Sequence, residues 1–266
     1  MIKNLNWKST SRNTKIAVEV IEPYGEVFFK KGILLDSKNI SNQIKSFKTL
    51  KKITDNIPGI SSPNVIKELS RDPIIALENI SGESFHSLWS KKSYEFEDIM
   101  LDIKEIYKIL FYFHKTTKEM FGDYYYYKDF GPKNVMRLTE DINVLIDPPD
   151  NFIFKNPNHD FGILFFEINR SLLQTGKFQL IWQHLKIVIS LLKTDKDYLI
   201  YNNYTSGINV HFCRVIKRYF LFFKKENPFK EFLRGVILVP FLITFFFSIY
   251  TMIFACKIME NNEKEQ

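Results

Sequence analysis

The stretch from Tyr127 to Asp147, YKDFGPKNVMRLTEDINVLID, holds three oxygen-bearing side chains in an order that suits phosphoryl transfer. Asp129 is followed after four residues by Asn134, and a β-rich stretch then ends at Asp147. Transfer from a nucleotide needs one carboxylate to orient and deprotonate the attacking hydroxyl. It also needs an amide oxygen and a second carboxylate to hold the magnesium ions that neutralise the phosphates. Asp129 and Asn134 on one loop set the base beside a metal ligand. Asp147, at the end of the following hairpin, reaches the same ions from the opposite side. Singly, Asp, Asn, Gly and Pro are turn residues, so it is their joint order that points to chemistry.

Several elements must position these groups. Lys15 to Glu22 alternates and is β-branched, Pro23-Tyr24-Gly25 is a turn signal, and Glu26 to Lys31 is a second strand, which together predict a hairpin. Ser41 to Ile53 places Ile44, Phe47, Leu50 and Ile53 at helical spacing, with Asp36 and Ser37 able to cap the start. VIKEL and IIALENI, separated by Arg71-Asp72-Pro73, read as two further strands, and Ile80 to Ser84 as a flexible exit from the sheet. Asp98 to Lys115 carries apolar residues at 99, 103, 106, 110 and 113, the seam of a long helix. Short strands are expected at Asn134 to Leu138 and Ile142 to Asp147, with helices dominating otherwise. The expected fold class is α+β: a β-rich amino lobe over residues 1–80, then a helical lobe with the catalytic loop over residues 81–209.

Of the 266 residues, 45% are hydrophobic and 25% charged, which excludes a largely disordered chain. The net charge is +7, and much of it comes from residues 210–234, where Arg214, Lys217, Arg218, Lys224, Lys225, Lys230 and Arg234 meet only Glu226 and Glu231. Gly235 to Cys256 then runs 22 residues without a charge. As a helix that segment reaches about 33 Å, enough to cross a bilayer. The tail, residues 257–266, has no cationic excess, so the positive-inside rule puts the body of the protein in the cytoplasm and the tail on the far side. The amino-terminal MIKNLNWKST has no apolar core of signal-peptide type, and anchoring from the carboxyl end is expected. The basic stretch alternates cations with apolar residues and suits an anionic membrane surface better than nucleic acid, which is not an expected partner. Cys213 and Cys256, the only cysteines, are 43 residues apart and give neither a disulfide framework nor a metal site, consistent with a reducing compartment. The five histidines have no zinc-ligand spacing, and neither a Gly-x-Ser-x-Gly nor a Walker-type loop is present.

KDFGPKNVM followed by VLID resembles the catalytic loop and metal-binding strand of the aminoglycoside phosphotransferase-like and lipopolysaccharide-kinase-like branch of the protein-kinase-like superfamily. The pattern there is His-Gly-Asp-Phe-x-Pro-x-Asn, then Ile-Asp-Phe or Ile-Asp-Pro. The segment Ser61 to Phe85, with Glu78 and Gly82, is similar to the part leading through the hinge, and about residues 5 to 200 can be laid on that fold. The resemblance implies a bilobal kinase-like fold with ATP and Mg²⁺ as cofactors. It implies Asp129 as catalytic base, Asn134 and Asp147 as metal ligands, and Glu78 as a strand-end residue near the adenine. Lys30, with Lys31 as alternative, holds the phosphates. Ser9, Thr10 and Ser11, in a loop from Ser9 to Thr14, cover the nucleotide. Asp160 begins a helix and braces the catalytic loop from behind, and His114 closes the long helix.

Three positions depart from the pattern. Tyr127 and Lys128 stand where it has histidine and glycine. Gln43 occupies the place of the helix glutamate that pairs with the strand lysine, and SNQIKSFKTLKKI contains no acid, which either slows catalysis or leaves Asp36 or another carboxylate to substitute from a different position. The metal strand continues as Asp147-Pro148-Pro149-Asp150, a stiffer loop. The expected function is an ATP-dependent phosphotransferase at the cytoplasmic face of a membrane. Its acceptor is a hydroxyl on a small molecule or on a lipid-linked or glycoconjugate sugar. The alternative is a catalytically weak membrane scaffold that binds nucleotide or a partner protein. No Ala-Pro-Glu segment follows Asp147, which argues against a protein kinase.

Overall fold

A computed structural model of the chain describes residues 5–11, 14–32, 37–70, 74–149, 152–154, 157–194 and Phe246. The expected basic stretch, membrane span and tail lie outside the described residues, apart from Phe246. Among the described residues no helix is long and apolar enough to cross a membrane.

The amino-terminal part is an antiparallel sheet in the order β1 (Lys8–Ser11), β2 (Thr14–Ile21), β3 (Gly25–Gly32) and β5 (Ile74–Glu78). The predicted hairpin is β2 and β3, paired from Thr14↔Gly32 to Ile21↔Gly25, with Gly25 at φ 72° where a left-handed residue is needed. Alternation along the strands gives the sheet two apolar faces. Val27, Phe29, Ile74 and Ala76 join Leu5, Ala17 and Ile21 on one face. Ile75, Leu77 and Phe28 meet Ile44 and Phe47 of helix α1 (Ser37–Thr54) on the other. Of the expected caps, Ser37 is the first helical residue and Asp36 lies outside the described residues.

Two expectations for the next segment are corrected. VIKEL is not a strand: Val65 makes a single bridge to Leu77, and Lys67–Leu69 is a 3₁₀ turn. Ser70 explains this, because its hydroxyl donates to the Ile66 carbonyl at 2.8 Å and accepts from the Ala76 N–H at 3.0 Å, closing a local turn against β5. The exit from the sheet contains strand β6 (Glu83–Ser84), paired with strand β8 (Val135–Arg137), the expected strand after Asn134. β8 pairs with β9 (Asn143–Leu145), which runs beside β4 (Ile60–Ser61).

The remainder is helical and holds the largest core. Helix α2 (Phe85–Trp89) leads to α3 (Phe96–Phe121), whose predicted seam Ile99, Ile103, Ile106, Leu110 and Phe113 is wholly buried. Each such side chain contributes roughly 1.5–3 kcal/mol of burial. Glu97 and Asp98 sit in the first turn and suit the helix dipole, and Gly122 at φ 81° ends the helix. His114 therefore lies inside α3 rather than closing it, seven residues before its end at Phe121. β7 (Tyr125–Tyr126) pairs with β10 (Ile153–Phe154), and α4 (Asn158–Gln174) and α5 (Ile181–Thr194) complete the core. A β-rich amino-terminal region followed by a mostly helical part agrees with the expected α+β class.

Candidate functional site

The loop from Tyr127 to Asn134 lies along α4. Asp160, in the first turn of α4 and wholly buried, accepts the Tyr127 backbone N–H at 2.6 Å and the Lys128 N–H at 2.9 Å. The same carboxylate accepts from Nε2 of buried His114 at 3.0 Å. Lys128 has φ 76°, a left-handed conformation that an L side chain adopts at a cost of about 1–2 kcal/mol. A glycine stands there in the resembled pattern, and here the Asp160 carboxylate holds the strained N–H. Further along, Phe130 is buried edge-on against Tyr127, with centroids 5.1 Å apart. At Gly131 a Cβ would fall 3.0 Å from Cβ of Glu167 in α4. Lys133 donates to Gln174, the last residue of α4, at 3.0 Å.

This seating sets the chemical groups. Asp129 is half-buried and its N–H donates to the Tyr127 carbonyl at 3.0 Å. The Asn134 side-chain N–H donates to the Asp129 carbonyl at 2.8 Å, which leaves the amide oxygen as the atom for a cation. The Asn134 carbonyl accepts the Ile146 N–H at 3.0 Å, and the Tyr127 hydroxyl donates to the Ile146 carbonyl at 2.8 Å. Asp147 lies two residues past β9 rather than in a strand, at φ 60°, and forms an ion pair with Lys30. Alternation puts the two candidate lysines on opposite faces of the sheet. Lys30 shares the face of Phe28 toward α1, whereas Lys31 shares the opposite face with Val27 and Phe29. α1 holds no acidic residue, and the carboxylate paired with Lys30 is that of Asp147.

Hydrogen bonds and one ion pair thus connect the segments that carry Asp129, Asn134, Asp147, Lys30 and Asp160. Glu78 ends β5 as expected, but its carboxylate accepts the Asn64 side-chain N–H at 2.9 Å. Ser9, Thr10 and Ser11 are not in a loop: they belong to β1, with Ser9 opposite Lys15, Ser11 opposite Thr14 and a register shift between. Only residues 12 and 13, which lie outside the described residues, separate β1 from β2. β1 is separated from β3, which carries Lys30, by β2.

Two polar features were not foreseen as such. Asp102, 1% exposed, accepts from Trp89 Nε1 at 2.9 Å, Tyr94 hydroxyl at 2.9 Å and Arg137 at 2.6 Å, bolting α2 and β8 to α3. Its signal was a carboxylate three residues after Ile99 on the apolar face of the helix. Tyr127, a departure from the resembled pattern, joins the loop through its phenol to the residue before Asp147. Burial, then the Asp147 and Asp160 charges, push that phenol well above its usual range, so it remains a donor. Beside the loop, burial and then the Lys133 charge lower the His86 imidazole to about 4, leaving it neutral.

The donor set fits magnesium held with phosphate. Asp147 has about half its side chain exposed (52%), and the Asn134 amide oxygen is the same kind of hard donor. Among the described residues no group of three or more His, Cys, Asp or Glu could hold a metal alone. Two protein oxygens match a cation that takes its other ligands from phosphate and water.

No family model matches the chain, and no curated protein matches it. Among solved structures it is similar to the PknI kinase domain of Mycobacterium tuberculosis, at 15% identity over 61% of this chain and 68% of that one, with a TM-score of 0.39. It is also similar to a cysteine-to-alanine mutant of that domain, at 12% identity over 62% and 71% of the two chains, with a TM-score of 0.40.

Proposed function

We propose that the protein is an ATP- and Mg²⁺-dependent phosphotransferase of kinase-like fold, acting on a hydroxyl of a small molecule or of a lipid-linked or glycoconjugate sugar. The observation that carries this reading is the meeting of Lys30 and Asp147, from β3 and from beyond β9, beside a loop that presents Asp129 and Asn134. Lys30 binds the phosphates, and Asn134 and Asp147 hold the cation. Asp129 orients the acceptor hydroxyl and takes its proton. Magnesium-bound ATP supplies the phosphoryl group and the neutralising charge. The basic stretch and the apolar run after it support a membrane anchor with the described part on the cytoplasmic side. Such tethering raises the effective concentration of a membrane-linked acceptor.

Thermal stabilisation of the full-length, detergent-solubilised chain by ATP tests the nucleotide site, with and without Mg²⁺ and with Asp147→Ala beside the wild type. A shift that needs both Mg²⁺ and Asp147 is expected, and its absence from the folded wild type overturns the reading. Asp129→Asn is expected to keep that shift and lose turnover on a panel of hydroxyl acceptors.

One observation favours a second reading, a weakly catalytic scaffold. Without an acid on α1, Lys30 is paired with the very carboxylate that a metal needs. Mg²⁺-dependent ATP binding without turnover on any acceptor would support it.

A further inference from the structure

Resting on the phosphotransferase reading, we propose that Tyr127 is a positioning residue for Asp147, acting through its hydroxyl on the peptide that joins Ile146 to Asp147.

Ile146 is clamped on both sides. Its N–H donates to the Asn134 carbonyl at 3.0 Å, and its carbonyl accepts the Tyr127 hydroxyl at 2.8 Å. The carbonyl and the N–H of Asp147 belong to one rigid peptide plane, so the phenol fixes the plane from which Asp147 departs at φ 60°. A side-chain-bearing residue holds that conformation only where its surroundings over-determine it. From there the carboxylate meets Lys30.

The phenol is itself held. Tyr127 is wholly buried, its backbone N–H is bound by Asp160 at 2.6 Å, and its ring packs edge-on against Phe113 at 5.4 Å and Phe130 at 5.1 Å. With its pKa pushed well above 10 by burial and the two nearby carboxylates, the hydroxyl stays a donor. A buried aromatic is most often there to fill the core. That simpler role needs the ring alone, whereas positioning needs the hydroxyl, and the two are separable.

Tyr127→Phe keeps the ring and removes the donor. In full-length, detergent-solubilised protein, thermal stabilisation by ATP is followed as Mg²⁺ is raised. The variant is expected to match the wild type with ATP alone, and to need about tenfold more Mg²⁺ for the half-maximal shift, the size of one lost hydrogen bond. Phe113→Leu, which disturbs the ring packing but spares the hydroxyl, is expected to melt earlier with its Mg²⁺ half-point unchanged. An unchanged half-point in Tyr127→Phe overturns the positioning role while the nucleotide site stands. So does an equal displacement in Phe113→Leu. A wild type whose shift needs neither Mg²⁺ nor Asp147 overturns the underlying reading, and this inference with it. Tyr127→Met, which fills much of the volume without a donor, is read in the same way should the phenylalanine variant not fold.

Discussion

Lys30 and Asp147, 117 residues apart in sequence, form an ion pair that joins the amino-terminal sheet to the loop beyond β9. Their side chains are 23% and 52% exposed, so solvent screens the pair and its share of stability is small. Lys30→Met is therefore expected to change unfolding stability by no more than about 1 kcal/mol while removing stabilisation by Mg²⁺ and ATP. Urea unfolding and nucleotide-dependent melting of the same variant measure the two effects.

Asp160 is the opposite case. It is wholly buried and serves two backbone N–H groups and His114 at once. Asp160→Ala leaves these buried donors without their acceptor and is expected to cost about 1–3 kcal/mol for each group left unsatisfied. The urea midpoint should fall with the slope unchanged.

His184 gives a pH dependence of known sign. It is buried between the Tyr107 hydroxyl at 2.9 Å and the Asn169 amide oxygen at 2.8 Å, and burial lowers its pKa to about 3. The unfolded chain takes up a proton near pH 6.5 and the folded chain does not. This site therefore withdraws stability as pH falls from about 6.5 to 3, by about 1.4 kcal/mol per unit. His184→Gln is expected to remove that part of the acid sensitivity, read as the difference between the two chains' stability curves over that range.

Gly82 lies where β6 approaches β8. A Cβ there would fall 2.7 Å from the Arg137 backbone oxygen and 3.3 Å from its carbonyl carbon, neither of which can swing aside. Gly82→Ala is expected to cost about 1–3 kcal/mol. It should also disturb the side chain of Arg137 in the Asp102 cluster, a change visible in the fluorescence of Trp89, whose indole N–H is bonded to Asp102.

Much of this architecture was legible in the sequence because it rests on periodicity. The β2–β3 hairpin follows from alternation around Pro23-Tyr24-Gly25, and the α3 seam from spacings of three and four. The residues singled out by order in the sequence lie in segments that hydrogen bonds join, Asp160 accepting the Tyr127 and Lys128 backbone N–H groups and the Asn134 carbonyl accepting the Ile146 N–H. What was missed depends on individual hydrogen bonds that periodicity does not encode. VIKEL has a strand-like composition, but the Ser70 hydroxyl diverts its backbone into a turn. Ser9 to Ser11 looks like a polar loop, yet pairing with β2 outweighs that composition. Nothing local in Tyr127 told of a hydroxyl bonded to Ile146, nineteen residues on.

The seating of the Tyr127–Asn134 loop on α4 has a consequence for motion. Amide protons in a loop ordinarily exchange with solvent in brief local openings, but those of Tyr127 and Lys128 end on a carboxylate that has no exposure of its own. To release them Asp160 must leave the interface between α3 and α4, which means parting the core. On the slow timescale of hydrogen exchange this segment, irregular in shape, behaves as an extension of the helix beneath it.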